Sequence, residues 1–519
     1  MQHTLTDFGK QSTKAAKGDR DMKLSNEGLK DRKSWEEKGY KLPAYDREKI
    51  IANTKENPVW LHFGAGNIFR AFQANVVEEL LNQGVMDKGL IVAEGYDYEI
   101  IEKYNRPCDD LSILATLKAD GTVEKRVVGS IVESCILDEE NEKEISRLRE
   151  IFRAPSLQMI SFTITEKGYK TRAYMNKVVG LLLERFNAGA LPLSIVSMDN
   201  CSHNGDKLKE AVLDIAKEWF KDGKCETDFI AYLEDSSKVA FPLSMIDKIT
   251  PRPDDTVKQM LIDDGVEDAE PIVTTKNTYV ANFVNAEETE YLVIEDLFPN
   301  GRPALEKGGI IFTDRETVDK TEKMKVCTCL NPLHTALAVF GCLLGYKTIH
   351  DEMDDEDLKK LVTKLGKEEG MKVVVDPKVL SPDKFLDAVL TKRLPNPFMP
   401  DTPQRIACDT SQKLPIRFGE TIKAYRGNSS LTTESLKVVP VVLAGYLRYL
   451  EGVDDQGNVF EQSPDPLLNE LKELPAKDVL KRKDVFGVDL YEDTMAKRVL
   501  EIYSNMKGVG NVRKELEAV

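Results

Sequence analysis

Hydrophobic positions in the first half of the chain switch between two periods. Val59 to Phe63 is a short apolar run of strand-forming residues, closed by Gly64 and Gly66. Phe69, Phe72, Val76, Val77, Leu80 and Leu81 then recur at spacings of three and four, which predicts a helix. "GLIVAEGYD" returns to a strand pattern, completing a strand, glycine turn, helix, strand unit. Further strand-like runs follow at "LSILATLK", "EKRVVGSIV", "LQMISFTIT" and "LPLSIVSMD", with the amphipathic helix "AYMNKVVGLLLERFNAG" between the last two. This alternation over residues 50–250 predicts a doubly wound parallel sheet. Beyond residue 313 the pattern turns helical, in "CLNPLHTALAVFGCLLGY", "DEDLKKLVTKLGKEEG", "SLKVVPVVLAGYLRYLEG" and "YEDTMAKRVLEIYSNMKG". The predicted fold is therefore an α/β chain: an N-terminal Rossmann-like doubly wound sheet over 51–312, then a mostly α-helical domain over 313–519. Residues 1–50, polar and charged, read as an extension of short helices and turns packed on the main body.

Composition narrows the partners. A length of 519 residues exceeds what one core serves, in line with two domains. Apolar content of 41% with 31% charged residues suits a soluble globular protein, and a net charge of −16 argues against nucleic acid or an anionic membrane as partner. The opening residues lack the apolar core of a secretory signal. The longest apolar stretch, from Lys325 to Tyr346, contains Asn331, Pro332 and His334, so it reads as a buried helix rather than a membrane span. Eight scattered cysteines without framework spacing predict reduced thiols and a cytoplasmic protein. Cys327 and Cys329 point in divergent directions on a helix, and no second pair completes a tetrahedral set, so no metal is expected.

Gly64-Ala65-Gly66 lets the backbone turn sharply and approach a pyrophosphate held over a helix N-terminus. With its βαβ context the turn predicts a dinucleotide site, and Gly64, Gly66, Asn67, Ile68, Phe69 and Arg70 are its candidate contacts. The usual third glycine is missing, and Arg70 stands one residue past its place. Near the end of the second strand, Asp97 or Glu94 would accept from a ribose 2′-hydroxyl and repel a 2′-phosphate, favouring NAD over NADP. The reading leans towards Asp97.

Four more stretches place polar residues at element ends. "SMDNCSHNGD" carries Asn200, "FPLSMIDKITP" carries Asp247, "EKMKVCTCLNPLH" carries Glu322, Lys325, Asn331 and His334, and "QRIACDTSQKLP" carries Arg405 and Lys413. Singly, each has an ordinary structural explanation. Together, with "FGAGNIFRA", "TITEKGY" and "IEDLFPNGRP", they run in the order of the polyol-specific long-chain dehydrogenases, and the sequence over residues 58–415 resembles that mannitol dehydrogenase and fructuronate reductase family. The resemblance implies metal-free hydride transfer with NAD. Lys325 would be the general acid/base, and Asn200 and Asn331 would donate to the developing alkoxide. His334 would orient the substrate, and Asp247, Arg405 and Lys413 would contact its other oxygens. Glu322 would relay a proton or form a salt bridge with Lys325.

The family's spacing is Lys, Asn five residues on and His eight on; here the steps are six and nine. At about 100° per residue, nine steps put Lys325 and His334 on opposite faces of a straight helix. With Pro332 in between, an irregular helix carrying a one-residue π-bulge is predicted. Resemblance in "GLKDRKSWEEKGYKLPAYD" points to the fructuronate reductase branch, hence to reduction of fructuronate to mannonate. Mannitol/fructose interconversion and tagaturonate reduction are the alternatives within the family. A non-catalytic nucleotide-binding sensor is the alternative outside it.

Overall fold

The computed structural model describes residues 22–519. Six strands, β1 (Trp60–Phe63), β2 (Leu90–Glu94), β3 (Ile131–Ile136), β4 (Met159–Phe162), β5 (Leu193–Ser197) and β6 (Val239–Ala240), form one wholly parallel sheet in the order β3-β2-β1-β4-β5-β6. Parallel strands covered on both faces need apolar side chains at odd and even positions alike. Leu61, Phe63, Ile91, Ala93, Ile160 and Phe162 enter one core, while Trp60, Leu90, Val92 and Met159 enter the other. The strand order reverses between β1 and β4, and a crevice at the carboxyl ends of strands flanking such a reversal is where ligands bind.

Two predicted strands lie elsewhere. "LSILATLK" and the start of "EKRVVGSIV" form an antiparallel hairpin, Ser112–Leu117 with Val123–Val128, in a separate four-stranded sheet. The turn is closed by Lys118 and Thr122 around Gly121, whose φ is +81°. A tight turn of this kind joins antiparallel neighbours; parallel ones need a crossover. Phe283–Glu287 pairs parallel to the hairpin's first strand, and Tyr40–Lys41 from the N-terminal segment adds to its other edge. The segment before residue 50 thus supplies a strand as well as short helices. Trp35, fully buried, packs edge-on against Tyr40 at 5.1 Å. Residues 1–21 of the predicted extension lie outside the described residues.

From residue 324 onward the helices share a core of their own. Its central element, Arg315–Leu344, is long and apolar enough to cross a membrane by length and composition, but 78% of its most apolar window is buried in the protein. It is not one regular helix. Arg315–Met324 is α-helical, Lys325–Cys329 is a π turn, and a second α-helix runs from Asn331 to Leu344. The Leu330 amide reaches back five residues to the Lys325 carbonyl at 3.1 Å, and Leu330 leaves helical geometry at φ −128°. The predicted irregularity is present. A π turn absorbs the extra residue, and Pro332, which has no amide hydrogen, starts the following helix where none is required.

The glycine turn after β1 gives a direct test. Gly64 has φ +105°, and a Cβ there would lie 2.6 Å from the Thr163 carbonyl oxygen, whereas a Cβ on Gly66 meets nothing within 4 Å. Gly64→Ala is expected to destabilise the fold by about 1–3 kcal/mol and Gly66→Ala to leave it nearly unchanged. Urea midpoints for the two variants measure this; equal midpoints would contradict it.

Candidate active site

The loop after β5 is tied down by its own polar residues. Asp199 accepts from the Thr165 and Ile164 amides at 2.8 and 3.2 Å and from the Tyr169 hydroxyl. Asn204 Nδ2 donates to Asp199 O and Ser244 O, both at 3.0 Å, and to Ser244 Oγ at 2.9 Å. Asn200 projects from this pinned loop and is exposed. Facing it is Lys325, 5% exposed, whose Nζ lies 3.3 Å from Asn200 Oδ1, 3.2 Å from the Ile246 carbonyl oxygen and 3.1 Å from Asp247 Oδ1. Asn200, Lys325, Asn331 and Glu322 line one cavity of about 230 Å³. Three of the four predicted catalytic residues are therefore brought together. The Glu322 carboxylate makes no hydrogen bond or ion pair among the described residues, and it also borders a neighbouring groove of about 590 Å³.

His334 stands one turn beyond Asn331. Its Nε2 is buried 3.3 Å from Asp401 Oδ2, but poorly aligned and without a hydrogen-bond partner. Burial first, then the cations Arg417, Arg405, Arg393 and Lys413, push its pKa down to about 3, so the ring is neutral. Lys413 donates to the carbonyls of Ile406, at 3.0 Å, and Cys408. Burial and Arg417 hold its pKa below the ordinary lysine value. Arg405 is largely exposed and pairs with Asp401.

Asp247, expected at the substrate, lies behind Lys325 instead. Its Oδ1 faces Lys325 and its Oδ2 accepts from Arg393 Nη1 at 2.7 Å. Arg393 completes a fork onto Glu287 at 2.7 and 2.9 Å. Burial would raise the Asp247 pKa, but Lys325 and Arg393 together bring it below the usual value. The Arg393 pKa is raised, because Asp247 and Glu287 outweigh burial. Arg393, Glu287, Asp401 and Arg417 were not singled out from the sequence. Arg393 sits in "FLDAVLTKRLPNPF", where only a charge inside an apolar stretch hints at a buried partner.

At the glycine turn, Asn67 and Ile68 open the helix half-buried, and Phe69 is fully buried, stacked on His62 at 4.0 Å. Arg70 is buried too, and its Nη2 donates to the Ala281 carbonyl at 2.9 Å rather than facing the open turn. Of the two candidate acids, Glu94 touches the turn, accepting from the Ala65 amide at 2.9 Å and from the Tyr96 and Asp97 amides. Asp97 accepts from Thr274 Oγ1 at 2.6 Å, its other oxygen buried and unpaired. Gly95, Tyr96, Asp97, Tyr98 and Lys177 border a cavity of about 470 Å³ just beyond. Open space over Gly66, helix amides at Asn67 and Ile68, and a carboxylate at the turn fit a dinucleotide.

Fold and site together define a two-domain dehydrogenase. Residues 59–307 match the mannitol dehydrogenase Rossmann domain and residues 317–507 the mannitol dehydrogenase C-terminal domain, and the chain belongs to the mannitol dehydrogenase family. It is 49% identical to a D-mannonate oxidoreductase of Thermotoga maritima, over 96% of this chain and 99% of that one. A mannitol 2-dehydrogenase of Pyrenophora tritici-repentis is 29% identical over 87% of this chain and 79% of its own. Among solved structures, a substrate-free D-sorbitol dehydrogenase superposes with a TM-score of 0.76 at 24% identity, covering 92% of this chain and 97% of that one. The Pseudomonas fluorescens mannitol 2-dehydrogenase, solved with NAD and D-mannitol, gives 0.67 at 24% identity over 96% and 99%.

A fully buried histidine, His62, and a mostly buried one, His334, set an acid limit on stability. His62, between Ser161 and Thr163, also has its pKa lowered to about 3 by burial. Below the unfolded value of about 6.5, the unfolded chain takes up protons that the folded chain refuses. Stability is then full at pH 7 and falls between pH 6.5 and 3, by about 1.4 kcal/mol per pH unit per histidine. Urea unfolding at pH 7 and pH 5 should show a shallower loss in His334→Gln than in the unaltered protein; identical slopes would contradict the burial argument.

Proposed function

We propose that this chain is an NAD-dependent oxidoreductase interconverting D-fructuronate and D-mannonate. The observation carrying this reading is the 49% identity, across nearly all of both chains, to the D-mannonate oxidoreductase. The mannitol 2-dehydrogenases are more distant, at 27–29%. In this reading residues 51–312 hold the nucleotide, 313–519 hold the substrate, and 1–50 form the extension. The eight free cysteines suit a reducing cytoplasm.

Bound NADH supplies the hydride. Gly64, Gly66, Asn67 and Ile68 would cradle the pyrophosphate, and Glu94, which touches the turn, or Asp97, which borders the cavity just beyond it, would accept from the ribose hydroxyls. Lys325 gives its proton to the ketone oxygen in reduction and takes the hydroxyl proton in oxidation. Asn200 accepts from Lys325 through Oδ1, which leaves its Nδ2 to donate to the same oxygen, and Asn331, on the wall of the same cavity, donates to it as well. Asp247 fixes the lysine. Neutral His334 hydrogen-bonds the substrate, and Glu322, facing both the cavity and the outer groove, passes the proton to solvent.

Purified protein with NADH should reduce fructuronate well ahead of tagaturonate and fructose; absence of fructuronate turnover removes the reading. Lys325→Met should cut kcat by about 10²–10⁴-fold while NADH affinity, followed by fluorescence, stays unchanged. A nucleotide-binding sensor would show no turnover to lose.

A further inference from the structure

We propose that Arg417 receives the carboxylate of the sugar acid and so selects keto-uronates over neutral ketoses. This rests on the function proposed above. Arg417 belongs to the π turn Pro415–Gly419, which packs against the irregular part of the Arg315–Leu344 helix. Its Nη1 donates to Thr335 Oγ1, and Thr335 Oγ1 in turn donates to the Asn331 carbonyl at 3.0 Å. The guanidinium is thus held beside the residue that follows His334, one helical turn along from Asn331.

The charges around His334 leave this arginine unmatched. Arg393 is satisfied by Asp247 and Glu287, and Arg405 by Asp401. Lys413 spends its ammonium on two backbone carbonyls. Arg417 has no carboxylate partner among the described residues, only a neutral hydroxyl. A guanidinium carries five N–H donors in a planar fork, so one contact to Thr335 leaves most of that capacity unused. Burial without a counter-charge is costly, and it lowers the Arg417 pKa to about 10. The unpaired His334 Nε2 lies in the same region. An anion entering there would meet a fork that matches carboxylate oxygens two at a time.

Spacing agrees with this assignment. In an open-chain keto-uronate the ketone and the carboxylate are separated by three hydroxylated carbons. Asn331, at the ketone end of the cavity, and Thr335, under Arg417, are four residues apart, about 6 Å along the axis, a reach that four carbon–carbon bonds and the carboxylate oxygens at their end cover. Fructose presents a hydroxymethyl group at that end and gains little from a cation. The negative charge, not the hydroxyl pattern, is what Arg417 reads.

The test compares kcat/KM for fructuronate and fructose with NADH in the unaltered protein, Arg417→Met and Arg417→Lys. Arg417→Met should lose at least 100-fold on fructuronate, chiefly through KM, and less than threefold on fructose, with NADH affinity retained. Arg417→Lys, which keeps the charge and serves if the methionine variant fails to fold, should recover part of the fructuronate loss. Equal loss on both substrates, or no loss on fructuronate, overturns the assignment while leaving the proposed function standing. An unaltered protein that reduces fructose and no fructuronate overturns both.

Discussion

Four charges in a row, Lys325, Asp247, Arg393 and Glu287, are buried between the two halves of the molecule, with side chains 1–6% exposed. Their signs alternate and their sum is zero. Each belongs to a different segment: the strand Ser244–Asp247, the strand Phe283–Glu287, the π turn Lys325–Cys329 and the π turn Val389–Arg393. A buried ion pair is weak evidence for stability, because desolvation offsets most of the Coulomb attraction. Removing one partner, by contrast, leaves a naked charge and costs about 3–5 kcal/mol. The chain therefore fixes geometry more than it adds stability. It ties segments of the two halves together, with the Lys325 ammonium beside Asn200.

The π turn complements that constraint. Lys325 opens it and Asn331 begins the helix after it, so the cavity residues flank the one place where the long helix is irregular. In a regular helix the six-residue step from Lys325 to Asn331, about 600° of rotation, would set them about 120° apart. The wider turn takes up the extra residue, and both side chains reach the same cavity. Ion chain and π turn act on the same lysine, one from behind and one through the backbone.

Much of this was legible along the chain, because the signals were local. The parallel strands, the glycine turn and the helix spanning Arg172–Asn187 follow from periodicity, and the irregular helix follows from counting residues between Lys325, Asn331 and His334. What stayed hidden depends on pairing across long sequence separations. The strand patterns at 112–128 do not say which sheet they join. Arg393 meets partners 146 and 106 residues away, and no local feature names them. Asp97 and Glu94 look alike in sequence; only the path of the backbone puts Glu94 against Ala65. Asp247, Arg405 and Arg417 differ in what already occupies them, and that is a property of the folded surroundings alone.

The most direct measurement of the central claim is kcat for fructuronate reduction in Asp247→Asn, with NADH affinity as the control for folding. If the buried carboxylate holds the Lys325 ammonium against Asn200, removing its charge lets the lysine leave that position, and kcat should fall at least tenfold while NADH still binds. A kcat equal to that of the unaltered protein would mean that Asp247 does not position the proton-transferring group.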